Sequence, residues 1–317
     1  MVDVDLLYRV ALDYYVNKKL QREIAEELSV SRVQVSKYLS RAEELGIVRI
    51  EVIPPQADTK ALQDVREEML QLFAVEEVLI SPSFGQMASL QRSLHGLTTA
   101  HVLTSYGDRP MHVGVGWGST TYAFVQSEQS EKRESWRIVP LAGGSTLIAS
   151  KFFNINHIAH AFAEKLSASA QPVYLPLTVE HSAQDLLKSS SDYRYIEELW
   201  STLDLIICSV GYSIPRSPLF RQGLLGEQHI KHLQDEGVVG DILTHYFDIN
   251  GRFVDLGIEQ SMINVSLQQI RDAGTKVVVA YGTEKTQSIL GGLRTGLIDV
   301  LATDVDTARA VLTLSAA

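Results

Sequence analysis

Gln21-Arg-Glu-Ile-Ala-Glu-Glu-Leu-Ser-Val-Ser-Arg-Val-Gln-Val-Ser-Lys-Tyr-Leu39 decides how the N-terminal part of this chain folds. Ile24, Ala25 and Leu28 fall on one face of a short helix, Ser29-Val30 is a turn, and Ser31 stands three residues before Gln34 as a capping pair opening the next helix. A helix-turn-helix makes specific demands. Its two helices must approach closely, which Ala25 allows, and must be anchored, which Ile24, Leu28, Val30 and Val35 do. Its second helix must offer donors to base edges and phosphates from its first turns. Arg32, Gln34 and Lys37 are placed for that, with Ser31 and Ser36 in reach of phosphate, Arg41 extending the basic face and no acid before Glu43. Gln21 opens the first of the two helices, near the backbone it would cross. Two positions depart from the usual pattern: Ser29 replaces a turn glycine, and Leu20 stands where a Ser or Thr cap is common.

Reading outward, Leu6, Leu7, Val10, Ala11, Tyr14 and Tyr15 recur at helical spacing, so Leu6–Val16 is a preceding helix broken by Asn17-Lys18-Lys19. Gly46 closes the third helix, and the alternating stretch Ile47–Ile53 is expected to form the strand of a wing. Pro54-Pro55 stops it. The expected division is a winged helix-turn-helix over 1–55 and a larger domain over 56–317. Lys60–Phe73 is a helix that either pairs with its copy in a second chain or covers its own domain. Buried strands are expected at Glu77–Ile80, His112–Val115, Arg137–Leu141, Pro172–Leu175, Leu205–Val210, Lys276–Tyr281 and Leu297–Ala302. Helices are expected at Met87–Ser105, Thr120–Gln126, Ile155–Leu166 and Glu284–Leu293. Strands alternating with helices imply a Rossmann-like parallel α/β sheet covered on both faces. Tyr246–Val254 reads as a hairpin turning at Asn250-Gly251.

The net charge of −10 argues against a protein coated in positive charge. Residues 1–55 hold 8 Lys+Arg against 9 Asp+Glu, and the rest 20 against 29, so any DNA contact must come from the local patch at 31–41. Cys208 is the single cysteine, set in an apolar run, and reads as an inert core thiol. The apolar runs are strand-sized and too short to span a bilayer, and the acidic start lacks a secretory pattern. The expectation is a cytoplasmic protein with no membrane contact and no cofactor.

In the larger domain, His112-Val-Gly-Val-Gly-Trp-Gly-Ser-Thr-Thr121 is a strand entering a Gly-rich turn and then a helix. Gly116 and Gly118 let backbone approach a ligand, Ser119, Thr120 and Thr121 add hydroxyls, and the helix N-terminus favours an anion. A third Gly and a later acid are missing, so this is not the dinucleotide fingerprint. Leu141-Ala-Gly-Gly-Ser145 is a second Gly turn at a strand end. Gly240-Asp241-Ile242 and Phe247-Asp248 place two carboxylates suited to sugar hydroxyls, and Ala280-Tyr-Gly-Thr-Glu-Lys285 brings a lysine to another strand end. In open α/β sheets such ends converge on a ligand site.

Together, the N-terminal motif, the Gly114–Thr120 and Leu141–Gly144 turns, the Val239–Asp248 segment and the Tyr281–Asp304 ending resemble the SorC family of bacterial transcriptional regulators (SorC/DeoR type) over nearly the whole chain. The resemblance implies a winged helix-turn-helix joined to an effector domain similar to NagB, RpiA and CoA-transferase-like proteins. It further implies a double-stranded operator, a phosphorylated-sugar effector and a homo-oligomer, dimer or tetramer. It carries phosphate contacts onto Gly116, Ser119, Thr120 and Lys285, and sugar contacts onto Gly143, Gly144, Asn156, Gly211, Gln222, Asp241 and Asp248. Tyr281-Gly282 replaces a Gly-Gly common in the family, and Ala142 offers no amine for a Schiff base.

Three other readings stand beside this one. A sugar-phosphate isomerase fused to a DNA-binding module would draw its acid and base from Asp241, Asp248 and His245. A metal site would use His157 and His160, or His229 and His232, but neither pair has a third ligand nearby, and no metal is expected. A purely architectural DNA binder would not require the Gly turns or the lysine loop.

Overall fold

The computed structural model describes residues 3–48, 56–127, 131–145, 152, 154–212, 226–255, 257 and 261–316. The chain forms two compact units, Met1–Pro55 and Gln56–Ala317.

In the first unit, α1 (Val4–Ala11) runs into a π-helical turn at Leu12–Val16, followed by α2 (Gln21–Glu27) and α3 (Arg32–Glu44). Leu7, Val10, Ala11, Ile24, Ala25, Val35, Leu39 and Ala42 are buried between them. Ala25 does what a small residue must at the α2–α3 contact. Ser31 caps α3, its Oγ accepting the Gln34 N–H at 3.1 Å. At α2 only half a capping box exists: Glu23 accepts the Leu20 N–H at 2.8 Å, while the leucine side chain gives nothing back. Ser29 adopts φ +56°, the left-handed conformation that a glycine would take without strain. Tyr15 donates to Glu43 at 2.5 Å and its phenol is pushed up to about 12 by burial and by that carboxylate. Of the expected wing, residues 49–53 lie outside the described residues. Ile47 and Val48 are not in a strand; both N–H groups turn back onto the Ala42 carbonyl after Gly46 at φ +70°.

The second unit is built on a seven-stranded, all-parallel sheet in the order β1-β10-β9-β5-β2-β3-β4. The strands are β1 (Glu77–Ser81), β2 (Met111–Val115), β3 (Trp136–Pro140), β4 (Ser169–Ala170), β5 (Leu205–Cys208), β9 (Thr275–Val279) and β10 (Val300–Asp304). A separate antiparallel sheet holds β6 (Val238–Ile242), β7 (His245–Asp248) and β8 (Phe253–Val254), with the expected Asn250-Gly251 turn between the last two. Helices α4 (Gln56–Leu72), α5 (Met87–Tyr106), α6 (Ser119–Gln126), α7 (Ile155–Leu166), α8 (Gln184–Lys188), α9 (Ser191–Trp200), α10 (Glu227–Asp235), α11 (Leu267–Asp272), α12 (Thr286–Arg294) and α13 (Val305–Ser315) complete the unit. Central strands are apolar throughout because both faces are covered: Leu205, Ile206, Ile207 and Cys208 are all buried. Of the two expectations for α4, the second describes this unit: Val65 and Met69 join the core beside β1 and α13.

One expected strand is not there. Pro172–Leu175 lies outside the ladder; the edge strand is Ser169–Ala170. Pro172 has no N–H to give to β3. The segment is held instead by the Asn156 side chain, which accepts the Val173 N–H at 2.8 Å and donates to the Val173 carbonyl at 2.9 Å. The helix expected at Glu284–Leu293 begins as a 3₁₀ turn, Thr283–Lys285, before α12. No helix among the described residues is long and apolar enough to cross a membrane.

Candidate functional site

Strand order reverses direction between β2 and β5. β2 leads on toward β3, and β5 toward β9, so the loops after these neighbours part and leave a crevice at their carboxyl ends. The turn Gly116-Trp117-Gly118 follows β2 and opens α6. A Cβ on Gly116 would stand 2.8 Å from Leu243 Cδ2 and 3.0 Å from Cys208 Cβ, so only glycine passes there. Gly118 has φ +111° and donates its N–H to the Phe152 carbonyl. Ser119 is exposed at the helix N-terminus, and Thr120 is buried just behind it. Thr121 points away into the structure, its hydroxyl bonded to the Trp117 carbonyl.

Lys285 enters this crevice from the 3₁₀ turn after β9. It is buried, and its Nζ reaches the Val210 carbonyl at 2.9 Å, Ser209 Oγ at 3.2 Å and Thr120 Oγ1 at 3.3 Å. The ammonium also lies 4.8 Å from the Tyr212 ring centroid. Among the described residues no carboxylate is within ion-pair distance of it. Burial draws its pKa down to about 8, with Asp241 and Glu284 opposing the drop. Asp241 is the complementary group. Its enclosed carboxyl is pushed up to about 6 by burial, against the Thr244 N–H bond and the field of Lys285. Gly211 makes that enclosure possible: its N–H donates to the Asp241 carbonyl at 2.8 Å, and a Cβ there would stand 1.9 Å from Asp241 Oδ1. A small opening with room for about one water lies beside Gly116, lined by Trp117, Leu141, Ala142, Ile155, Leu243 and Thr244.

Gly116, Thr120, Gly211, Asp241 and Lys285 are thus brought together. The other residues expected to face a sugar are engaged elsewhere. Gly143 is wedged against the 175–177 segment, where a Cβ would meet the Pro176 carbonyl oxygen at 2.3 Å, and Gly144 is bonded to the same segment, donating its N–H to the Leu175 carbonyl at 2.9 Å. Asn156 holds Val173, as described. Asp248 staples its hairpin: Oδ1 accepts the Asn250 and Arg252 N–H groups, and Oδ2 the Arg252 side chain. Burial would raise its pKa, but those bonds outweigh it and leave the carboxyl below its ordinary value. Gln222 lies outside the described residues. Sequence reasoning passed over Ser209, Val210, Tyr212, Leu243 and Thr244, because nothing in a β-strand run or a Leu-Thr pair marks them as ligand-facing.

Of the three groups an isomerase would draw on, Asp241 lies in the crevice, while Asp248 serves its hairpin and His245 is engaged elsewhere. His245 is buried, its pKa drawn down by burial, and bonded through Nε2 to the Val265 carbonyl at 3.0 Å. The Cys208 thiol is pushed up to about 12 by burial. Among the described residues no three His, Cys, Asp or Glu side chains are grouped to hold a metal. His157 stacks on Tyr122, and His229 accepts the Gly226 N–H.

In the first unit Arg32, Ser36 and Lys37 are exposed on α3, and neither basic residue is ion-paired among the described residues. Gln21 and Gln34 are half-buried. Arg41 bridges Glu44 at 2.6 Å. Val33, not singled out by its type, is 66% exposed on the same face.

Residues 57–313 match the family described as "Putative sugar-binding domain". The deoxyribonucleoside regulator of Bacillus subtilis is 33% identical over 310 residues, covering 94% of each chain. The chain belongs to the SorC/DeoR-type family of transcriptional regulators. The sorbitol operon regulator of Klebsiella pneumoniae is 26% identical over 98% of each chain. The full-length structure of that regulator superposes with a TM-score of 0.77 at 24% identity, over 98% of this chain and 99% of the other, and so shares the fold. A transcriptional regulator from Streptococcus pneumoniae gives 0.74 at 22% identity, over 82% of this chain and 100% of the other. These relatives are named as regulators, and this chain is a transcriptional regulator of the same class, not an enzyme.

Proposed function

We propose that this regulator controls a carbohydrate operon by binding operator DNA through α2 and α3, and that a phosphorylated sugar held at Lys285 sets its operator affinity. Lys285 carries the reading. A buried ammonium whose direct contacts are neutral oxygens and an aromatic ring, with Asp241 and Glu284 acting on it only through their field, is held at a cost unless an anion completes the site. The N-terminus of α6, with Thr120 and Ser119, supplies the remaining donors for a phosphate. The domain outside residues 1–55 carries a net charge of −9, so an anionic ligand needs such a local site to be held at all. Asp241 accepts sugar hydroxyls. Ser31, Arg32, Gln34, Ser36, Lys37 and Arg41, with Gln21, form the DNA face, to which Val33 is added. A single helix-turn-helix buries too little surface for tight operator binding, so the protein acts as a homo-oligomer. The relatives named for deoxyribonucleosides and for sorbitol both concern carbohydrates, which supports the operon class.

The test is a thermal-shift and calorimetric panel of ribose 5-phosphate, 2-deoxyribose 5-phosphate, glucose 6-phosphate and sorbitol 6-phosphate, each beside its dephosphorylated form. One phosphorylated member is expected to bind saturably without turnover and to change operator affinity. Equal affinity for both forms, or turnover of the phosphate, refutes the reading.

A further inference from the structure

Tyr281 follows β9 and stands directly before Gly282, at a position where the family pattern commonly has glycine. Gly282, at φ +95°, turns the chain. Its N–H donates to Thr307 Oγ1 at 2.9 Å and to Asp304 Oδ2 at 3.1 Å, and its carbonyl accepts the Lys285 N–H at 2.9 Å. Tyr281 and Lys285 are thus the two ends of one pinned loop, and both are buried. The Tyr281 ring lies 5.9 Å from the His95 ring of α5, which stands edge-on to Phe124 of α6 at 5.8 Å. Burial draws the His95 pKa down to about 4, so the phenol packs against a neutral ring. A tyrosine set among rings needs partners for its hydroxyl. Gln91 of α5 donates its Nε2 to the phenol oxygen at 2.9 Å. On its other side the phenol bonds with the Thr120 hydroxyl of α6. Burial raises the phenol's pKa, and these two bonds oppose the rise.

The bonding capacity of each group fixes which way the protons run. A phenol has one proton to give. A threonine hydroxyl has one proton and two lone pairs, and an ammonium only donates. Lys285 Nζ donates to Thr120 Oγ1 at 3.3 Å. Tyr281, taking a bond from Gln91, has its own proton left for Thr120. Thr120 then accepts twice, and its proton is free to be given outward. We propose that Tyr281 is a positioning residue of the effector site: with Gln91 behind it, it fills an acceptor position of Thr120 and so turns the Thr120 proton toward a bound anion. This rests on the phosphate reading of Lys285 given above, and adds how the neutral hydroxyl beside the ammonium is made a donor. A freely turning hydroxyl can meet a phosphate with a lone pair, which repels it. One whose lone pairs are both engaged meets it with the proton, and is set that way before the ligand arrives.

The experiment is a double-mutant cycle on Tyr281→Phe and Thr120→Val. Affinity is measured by calorimetry with the panel member that binds wild type. Tyr281→Phe keeps the ring and removes only the hydroxyl. It is expected to melt in one cooperative transition and to bind the sugar phosphate about fivefold more weakly, and Thr120→Val about tenfold more weakly. In the Thr120→Val background, Tyr281→Phe is expected to change affinity by less than about twofold, because no hydroxyl remains to be oriented. A loss that persists at full size in that background overturns the proposal, since a phenol that only braces α5 acts whether or not Thr120 carries a hydroxyl. Affinity of Tyr281→Phe within about twofold of wild type overturns it as well. Should Tyr281→Phe not fold, Gln91→Met takes its place in the cycle, because it removes the donor that directs the phenol's proton. Weaker binding is then expected with Thr120 present and no further change in the Thr120→Val background, and any other pattern overturns the proposal. Failure of wild type to bind any panel member refutes the phosphate reading itself, a result distinct from failure of the variants.

Discussion

Replacing Asp241 by Asn is the sharpest probe of the electrostatics at the crevice. The Asp241 carboxyl is pushed from 3.8 in the unfolded chain to about 6 in the folded one, chiefly by burial. Folding therefore takes up a proton between about pH 4 and pH 6, and stability falls as pH rises through that window. Each pKa unit corresponds to about 1.4 kcal/mol, so the ionised carboxylate costs about 3 kcal/mol at neutral pH. Asparagine keeps an acceptor for the Thr244 N–H and removes the charge. Roughly 1 kcal/mol is deducted for an amide N–H that gains no acceptor, which leaves a gain of about 2 kcal/mol. For a unit of this size that is about 4–8 °C in melting temperature. Below pH 4 the aspartate is neutral as well, and the variant should lose its advantage. Differential scanning calorimetry of both proteins from pH 4 to pH 7.5 is the assay, with sugar-phosphate affinity measured alongside. The variant should be more stable at pH 7.5 and bind the sugar more weakly. Two melting curves that track each other across the pH range would refute the claim that Asp241 is held charged at a cost.

Three further outcomes are expected. Gly211→Ala drives a methyl into the Asp241 carboxylate and should weaken sugar-phosphate binding at least tenfold by calorimetry; unchanged affinity would remove Asp241 from the site. Leu20→Ser completes the capping box with Glu23 and should protect the α2 amides in hydrogen exchange by about 1 kcal/mol, and no added protection would show that the half-box already suffices. Arg32→Ala combined with Lys37→Ala should weaken operator binding and flatten its salt dependence in fluorescence anisotropy; an unaltered salt slope would mean that α3 does not meet the phosphates.

How much of this was legible in the sequence depended on what held each segment. Ile155–Leu166 emerges with the ends read from its apolar spacing, because an amphipathic helix on a sheet carries its own pattern. Pro172–Leu175 did not, because alternation of buried and exposed residues records burial but not the partner of the backbone. At the crevice, Gly116 and Lys285 stood out by type. Asp241 did too, but Asp248 looked the same in sequence and serves its own hairpin. Two carboxylates seven residues apart differ only in which N–H groups fold back onto them. Leu243 and Thr244 left no trace, since their left-handed backbone is written in φ and not in residue type.

The pairing of β1 with β10 has a consequence for synthesis. Glu77 lies opposite Val300, so the first strand of the large unit waits for a partner about 220 residues further along. At about 5–20 residues per second the ribosome needs roughly 10–45 s to supply it. Throughout that interval Val78, Leu79 and Ile80 stand in the nascent chain without their neighbour, while the short helices of the first unit need only local contacts and can close at once. The N-terminal unit is thus finished well before the sheet of the larger unit is complete.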